Sequence, residues 1–310
     1  MSSTPSPAVG PGPDPLGDLV DVSTLAELLT RDDTVLFDAS VGAHRGAPAR
    51  IPGARPFDLD GALSDHDTDV PHTMPGPDAF TEAVRELGLR EGDTVVVYDA
   101  QGVYSSARAW WMLRAMGFDR VAVLDGGLPA WRAAGLPVEA EPARYAGPRG
   151  TFTARPRPGL IVDADTVAKA LADPAARVLD ARTRGRYAGT APEPRPGLRG
   201  GHMPGAVSLP FGELQDADGA MLPVDSLRAA FAEAAGDGER LYFSCGSGVT
   251  ACVLALGATL AGREDLAVYD GSWSEWGLPA TSPGDRPVVT GDAVHGDAAA
   301  APADGGSPAP

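Results

Sequence analysis

A cysteine followed by a glycine-rich turn stands between two apolar runs of the chain. The segment LYFSCGSGVTACVLALGATLAG, residues 241–262, places Cys245 at the end of the first run, ahead of Gly246, Ser247 and Gly248. Glycines allow a tight turn in which several backbone N–H groups point at one place. A thiol before a helix also faces unpaired N–H groups and the positive end of the helix dipole, which favours the nucleophilic thiolate. The segment therefore predicts a reactive cysteine, and the alternative is a small buried residue that only packs at the strand end.

The turn favours one kind of chemistry over others. If residues 246–250 curl around Sγ, their amides form a cradle for a negatively charged sulfur atom bound to Cys245. This chemistry requires no cofactor and no metal. The second cysteine, Cys252, follows seven positions later. If a helix begins near Gly248, the two cysteines are about 10 Å apart along its axis, too far for a disulfide. We therefore expect Cys252 to be a buried packing residue.

Composition excludes several other functions. The formal net charge of −17 over 310 residues disfavours binding to nucleic acid and to anionic membranes. Two cysteines provide neither a disulfide framework nor a Cys-based zinc site. No apolar run reaches the roughly 18 residues that span a bilayer, and the N-terminal segment lacks the pattern of a signal peptide. We expect a cytoplasmic enzyme, and the sequence makes no prediction of its oligomeric state.

Two stretches rich in Ala, Gly, Pro, Ser and Asp are expected to be disordered tails, at residues 1–16 and 284–310. A third stretch rich in Pro, Gly and Arg, residues 137–159, is predicted to be a linker. It separates a first domain at 17–136 from a second domain at 160–283.

The two predicted domains repeat each other. TVLFDAS at 34–40 corresponds to ARVLDAR at 176–182, and DTVVVYDAQGVYSSARAWWML at 93–113 corresponds to ERLYFSCGSGVTACVLALGAT at 239–259. Three pairs of positions recur in the same order: Asp38 and Asp180, Asp99 and Cys245, Asp125 and Asp270. Such self-similarity indicates a tandem duplication.

Each half predicts an α/β fold. Short runs rich in β-branched residues, such as TVVVYD, are typical of strands buried on both faces of a parallel sheet. Helical patterns at 78–89 and 224–236 alternate with them, and Asp78 is a candidate N-cap of the first. Ligands of such sheets bind beyond the carboxyl ends of the strands, where Cys245 lies.

The chain resembles the two-domain rhodanese-type sulfurtransferases, and within them those that use 3-mercaptopyruvate. Two segments carry the resemblance: the cysteine turn CGSGVT at 245–250, and GRYAGTAPEPRPGLRGGHMPGAVSLPF at 185–211. The resemblance covers roughly residues 18–283 and implies tandem rhodanese-like domains, each a central, mostly parallel sheet flanked by helices. It implies an inactive first domain, in which Asp99 replaces the nucleophile, and a catalytic second domain.

The resemblance also implies roles for individual residues. Arg186 and Arg195 match substrate-binding arginines, and guanidinium groups bind carboxylates bidentately. Asp60 and His72 match an acid–base pair that acts with Ser247, although their spacing is one residue longer than the family pattern and His66 is a nearby alternative. The remaining implied substrate-binding residues are Gly246, Gly248, Val249, Thr250 and Tyr104. Arg182 is expected to pair with a carboxylate, and Trp110, Trp111, Trp131 and Trp276 to lie in the core.

The implied function is transfer of sulfane sulfur from 3-mercaptopyruvate, through a Cys245 persulfide, to a thiol, a thioredoxin-like protein or cyanide, with release of pyruvate. One alternative is a thiosulfate sulfurtransferase with the same mechanism. Another is a non-catalytic docking or regulatory module. A phosphatase on this fold requires an arginine six residues after the cysteine, where this chain has Ala251.

Overall fold

The computed structural model describes residues 16–140, 145–236, 238–279 and 286–291. The predicted N-terminal tail lies outside these ranges except for residue 16. Most of the predicted C-terminal tail lies outside them as well. Residues 286–291 of that segment contact the second half, where Val289 pairs with His202 and the Pro287 carbonyl accepts a hydrogen bond of 3.0 Å from Trp276 Nε1.

The first half forms a five-stranded parallel sheet flanked by helices. Its strands are β1 (Leu19–Val20), β2 (Thr34–Asp38), β3 (Arg55–Pro56), β4 (Thr94–Tyr98) and β5 (Val121–Leu124). Its helices are α1 (Val22–Leu28), α2 (Pro77–Glu86), α3 (Ser106–Ala115) and α4 (Gly127–Ala133). The strands lie in the order β1-β5-β4-β2-β3.

The second half repeats this arrangement in the order β6-β10-β9-β7-β8. Its strands are β6 (Ile161–Val162), β7 (Ala176–Asp180), β8 (Val207–Ser208), β9 (Arg240–Ser244) and β10 (Leu266–Tyr269). Its helices are α5 (Ala164–Leu171), α6 (Arg184–Ala188), α7 (Val224–Ala235), α8 (Ala251–Leu260) and α9 (Ser272–Trp276). The strand pairs are parallel, which confirms the predicted fold class.

The central strands are buried because helices cover both faces of each sheet. Every residue of β4 is buried, which explains the continuous run of β-branched residues in its sequence. The tryptophans predicted to lie in the core are 0–4% exposed: Trp110, Trp111, Trp131 and Trp276. Phe152, in the predicted linker, is also fully buried and packs against Phe118 of the first half.

Two predicted helix starts differ from the structure. Helix α2 begins at Pro77 with Gly76 as its N-cap, so the prediction that Asp78 caps it is wrong. Proline is well suited to the first helical position because its φ is preset and it needs no acceptor, and Asp78 falls in the first turn instead. Helix α8 begins at Ala251 rather than near Gly248, whose φ of +75° is incompatible with an α-helix.

Each half sends a loop across the carboxyl edge of the other half's sheet. In one direction, Met74 N donates a hydrogen bond of 2.8 Å to Asp270, which follows β10. In the other, Met221 N donates a hydrogen bond of 2.8 Å to Asp125, which follows β5. Helices α3 and α8 also pack against each other. The duplication therefore produces two related interfaces between the halves, and one of them contains Cys245.

Candidate active site

A cavity of about 330 Å³ lies between the halves, at the carboxyl end of β9. The first half supplies Val41, His72 and Tyr104 to its wall. The second half supplies the remaining lining residues: Arg186, Pro194, Arg195, Cys245, Gly246, Ser247, Val249 and Thr250. Most of the predicted site residues therefore share one cavity. Gly248 and Asp60 do not line it: the Gly248 carbonyl turns towards Cys252 Sγ, 3.3 Å away, and Asp60 lies behind the His72 ring.

Cys245 is held rigidly by the segment that follows β10. Its amide donates a hydrogen bond of 3.0 Å to Ser272 Oγ, and its carbonyl accepts one of 3.0 Å from Trp273 N. The next carbonyl, of Gly246, accepts from both the amide and the hydroxyl of Ser274, at 2.8 and 2.6 Å. Four hydrogen bonds thus fix the backbone on which the thiol stands.

Ser272 has a backbone conformation that normally favours glycine. Its φ is +48°, and it is fully buried. The corresponding residue of the first half is Gly127, with φ +53°, two positions after Asp125 as Ser272 is two after Asp270. A side chain in this conformation costs about 1–2 kcal/mol. What the serine provides in return is an acceptor for the Cys245 amide.

The cysteine loop, residues 245–250, leaves its amides available. Across the described ranges, the N–H groups of residues 246–250 donate no hydrogen bond. The corresponding loop of the first half closes on the side chain of Asp99 instead. That carboxylate accepts hydrogen bonds of 2.9 Å from the amides of Gln101, Tyr104 and Ser106, and one of 2.7 Å from the Ser106 hydroxyl. The first half therefore shows how this loop geometry surrounds the oxygens of a carboxyl group with donors; burial raises the pKa of Asp99, and these hydrogen bonds oppose that rise.

Three side chains form a hydrogen-bonded chain from the cysteine loop into the first half. His72 Nδ1 lies 2.9 Å from Ser247 Oγ, and His72 Nε2 lies 2.9 Å from Asp60 Oδ1. An ionised carboxylate only accepts, so Nε2 carries the ring proton and Nδ1 accepts from the Ser247 hydroxyl. The alternative histidine, His66, is exposed and contacts the Gly61 carbonyl instead.

Burial and hydrogen bonding set the charges in this chain. Burial opposes ionisation of Asp60, but the Gly42 amide and the His72 ring hold the pKa of this carboxyl below its ordinary value. Burial lowers the pKa of His72, and Arg195 and Arg108 act in the same direction against the opposing effect of Asp60. At neutral pH the three hydrogen-bonded groups are therefore an ionised Asp60, a neutral His72 and the Ser247 hydroxyl.

The two arginines of the cavity have different surroundings. Arg186 Nη2 donates to Glu193 Oε2 at 2.6 Å, and the Glu193 side chain is only 2% exposed. Glu193 Oε1 also accepts from Arg182, at 2.8 Å, which in turn pairs with Asp180. The prediction that Arg182 pairs with a carboxylate is thus confirmed. In this network the charge of Arg186 is already balanced.

Arg195 carries the charge that has no carboxylate partner among the described residues. Its Nη1 donates a hydrogen bond of 3.2 Å to Ser274 Oγ, and its side chain lines the cavity. The cavity therefore offers one uncompensated positive charge beside a thiol. That arrangement suits a small anionic ligand.

The second cysteine is remote from this chemistry. Cys252 is fully buried within α8, and burial raises the pKa of its thiol to about 12. Both cysteines are free thiols. The described residues contain no cluster of His, Cys, Asp and Glu that could hold a metal, and no helix among them is long and apolar enough to cross a membrane.

Comparison with known proteins places the chain in a family. The family described as Rhodanese-like domain matches twice, at residues 21–134 and 163–278. The chain belongs to the rhodanese family. It is 40% identical to the 3-mercaptopyruvate sulfurtransferase of Escherichia coli K12 over 234 residues, which cover 75% of this chain and 82% of that protein.

Two further relatives agree. The thiosulfate/3-mercaptopyruvate sulfurtransferase 1, mitochondrial, of Arabidopsis thaliana is 42% identical over 260 residues, 77% of this chain and 67% of the relative. The crystal structure of SseA, a 3-mercaptopyruvate sulfotransferase from Escherichia coli, matches this rhodanese with a TM-score of 0.73 and 35% identity, over 84% of this chain and 100% of that one. The predicted family resemblance is confirmed.

Sequence reasoning missed several residues of this rhodanese site. Val41 and Pro194 line the cavity, Glu193 orients Arg186, and Ser272 and Ser274 hold the cysteine loop. The signal for Ser272 was present in the repeat, where the first half has Gly127 at the corresponding position. Val41 had no signal, because a valine after a strand is typical of ordinary packing.

Proposed function

We propose that this rhodanese transfers sulfur from 3-mercaptopyruvate to a thiol through a persulfide on Cys245. One observation carries the proposal: Cys245, Ser247, His72 and two guanidinium groups line a single cavity, and Asp60 contacts the far side of the His72 ring. A nucleophile, a proton relay and a carboxylate-binding site are the three parts that this reaction requires. The inactive first domain supplies His72, Asp60 and Tyr104, and the second domain supplies the rest.

The reaction balances with these groups alone. The Cys245 thiolate attacks the sulfur of the donor, an S–S bond forms, and the C–S electron pair leaves with carbon as the enolate of pyruvate. The proton of the donor's thiol passes through Ser247 to Nδ1 of His72 and returns by the same path to the enolate. The products are pyruvate and a Cys245 persulfide anion, with no net proton gained or lost.

Arg195 and Arg186 would bind the carboxylate of the donor. Arg195 has an uncompensated charge, so it contributes more to the attraction of the anion, while the Arg186–Glu193 pair fixes a second guanidinium in place. Gly246 makes room for this pair, since a Cβ at that position would lie 3.1 Å from Arg186 Nη2. A neutral His72 adds no further positive charge, which favours a monoanionic donor.

The amides of the cysteine loop would hold the persulfide anion. Support comes from the first half, where the amides that correspond to those of Ser247 and Thr250 donate to the Asp99 carboxyl group. The amides of residues 246–250 are unpaired across the described ranges, so a second sulfur on Cys245 would meet ready donors.

The second step would pass the outer sulfur to a small thiol, a thioredoxin-like dithiol or cyanide. We further propose a cytoplasmic location, which imaging of a tagged chain would test. Thiosulfate is a second candidate donor, because loop amides and Arg195 also suit a sulfonate and because cleavage of its S–S bond needs no proton transfer.

Steady-state kinetics with both donors, and intact-mass spectrometry after treatment with each, test the proposal. We expect pyruvate release and an adduct of about 32 Da, one sulfur atom on a thiolate. Cys245→Ser should abolish both, while the matched control Cys252→Ser should retain both because that thiol is buried. An adduct that maps to Cys252, or turnover by Cys245→Ser, would contradict the proposal.

A further inference from the structure

Arg108 is a fully buried arginine of α3 that reaches from the first half into the second. Its Nη2 donates hydrogen bonds to Asp270 Oδ1 at 2.5 Å and to the His72 carbonyl at 2.9 Å. Its Nη1 lies 3.5 Å from the Gly248 carbonyl. One guanidinium therefore contacts the backbone of the histidine, the backbone of the cysteine loop and the carboxylate that follows β10.

The second interface between the halves forms without an arginine at this place. Arg108 lies nine positions after Asp99, and the residue nine positions after Cys245 is Leu254. Asp125 nevertheless accepts the Met221 amide at 2.8 Å, as Asp270 accepts the Met74 amide. The arginine is therefore not required for a crossing loop to dock on its aspartate.

The two interfaces differ in one backbone carbonyl. Gly219 lies two positions before Met221, and its carbonyl accepts a hydrogen bond of 2.9 Å from Val103 N in the loop of the inactive half. His72 lies two positions before Met74, but its carbonyl accepts from Arg108 instead. Both residues have a left-handed backbone, with φ of +79° and +61°, so the two carbonyls belong to similar turns.

The amide that would correspond to Val103 N is left free. Val249 lies four positions after Cys245, as Val103 lies four after Asp99. Val249 N donates no hydrogen bond to any residue that the structure describes, and Val249 lines the cavity. At the interface that contains Asp125, a carbonyl of the crossing loop accepts a hydrogen bond from this amide. At the interface that contains Cys245, it does not. We call these the inactive and the active interface.

We propose that Arg108 is a positioning residue: it holds the His72 carbonyl and thereby keeps the Val249 amide free for the sulfur anion on Cys245. The inference rests on the proposed sulfur transfer. Arg108 does not line the cavity that holds the Cys245 thiol, and it acts through His72 and the cysteine loop. Loss of the guanidinium releases the His72 carbonyl to the Val249 amide, as at the inactive interface.

The test must avoid leaving a buried charge unpaired. Arg108→Leu alone leaves the Asp270 carboxylate without its cation. Arg108→Leu combined with Asp270→Asn removes both charges and keeps an oxygen acceptor for Met74 N. We expect this double variant to melt close to wild type, to lose roughly tenfold to 100-fold in kcat, and to keep KM for mercaptopyruvate within about threefold. Asp125→Asn, the same change at the inactive interface, should leave kcat unchanged.

A second readout does not depend on turnover. Amide hydrogen exchange at Val249, followed by NMR, should slow in the double variant, because the His72 carbonyl now accepts that proton. The inference is overturned if exchange at Val249 is unchanged in the double variant. It is also overturned if a double variant as stable as wild type keeps the wild-type kcat. A wild type without turnover on any donor overturns the proposed function, and the exchange measurement still decides the hydrogen-bond change.

Arg108→Lys provides the test if the double variant does not fold. Lysine keeps a positive charge beside Asp270 but lacks the planar fork that spans two acceptors. We expect lower kcat with KM retained. Full kcat in this variant contradicts the inference.

Discussion

His72 Nδ1 lies 2.9 Å from Ser247 Oγ, although the two residues are 175 positions apart and belong to different halves of the chain. The contact joins a histidine of the first half to the hydroxyl two residues after Cys245. A proton relay of this kind matters only where the reaction moves a proton, and that gives a way to separate the two candidate donors.

Ser247→Ala should damage turnover of mercaptopyruvate far more than turnover of thiosulfate. Pyruvate leaves as an enolate that needs a proton, whereas sulfite leaves without one. We expect kcat for mercaptopyruvate to fall by about 100-fold and kcat for thiosulfate to change by less than about threefold. Parallel kinetics with His72→Asn should give the same pattern. Equal losses with both donors would show that Ser247 only shapes the loop.

The pH profile should report the unusual state of His72. Burial lowers the pKa of this imidazole from its ordinary value of 6.5, and the neutral ring is the form that accepts the Ser247 proton. The part of the acid limb of kcat/KM for mercaptopyruvate that disappears in His72→Asn should therefore lie below pH 6.5. A limb above pH 6.5 that is present in the wild type and absent from His72→Asn would contradict a neutral His72 at neutral pH.

Asp60→Asn should move that decline to still lower pH. The Asp60 carboxylate favours the charged ring, so its removal makes protonation of His72 harder and lowers the pKa further. Asp69→Asn is the matched control, because it removes the same charge from an exposed position of the same loop. An acid limb that rises in pH, or that moves equally in both variants, argues against a direct contact in solution.

Ser272→Gly and Ser272→Ala should separate strain from hydrogen bonding. Glycine relieves the left-handed backbone, whereas alanine keeps it, and both leave the buried Cys245 amide without its acceptor. We expect Ser272→Gly to be more stable than Ser272→Ala by about 1–2 kcal/mol in urea unfolding, with kcat lowered in both. The reverse change, Gly127→Ser, should be severely destabilising, because a Cβ there would lie 2.4 Å from the Gly102 carbonyl oxygen. Equal stability of the two Ser272 variants would show that the backbone at 272 is unstrained.

The two cavity arginines should respond differently to loss of charge. Arg195→Gln should raise KM for mercaptopyruvate by about tenfold or more and leave the free energy of unfolding unchanged, since its described partner is one serine hydroxyl. Arg186→Gln should raise KM and also destabilise, because it deprives the buried Glu193 of one of its two cations. Adding Glu193→Gln should restore stability but not KM. An unchanged KM in both single variants would place the carboxylate elsewhere.

The sequence by itself determined the elements that depend on local pattern. Buried runs of β-branched residues predicted the three central strands of each sheet but not its two-residue edge strands, and the repeat predicted two similar halves. The position of Cys245 after β9 followed from the same pattern, since its strand ends in a glycine-rich turn. Asp99, which stands where the second half has Cys245, also predicts which half lacks a nucleophile.

Only the tertiary structure decided which distant side chains meet. The choice between His66 and His72 depends on how a loop of one half lies over the other, and no local pattern encodes that path. The same holds for the pairing of Arg186 with Glu193 and for the contact of Arg108 with the His72 carbonyl. Local sequence pattern determines each sheet separately, whereas these contacts form where the loops of the two halves pack together. The spacing of residues along the chain therefore does not predict which side chains meet.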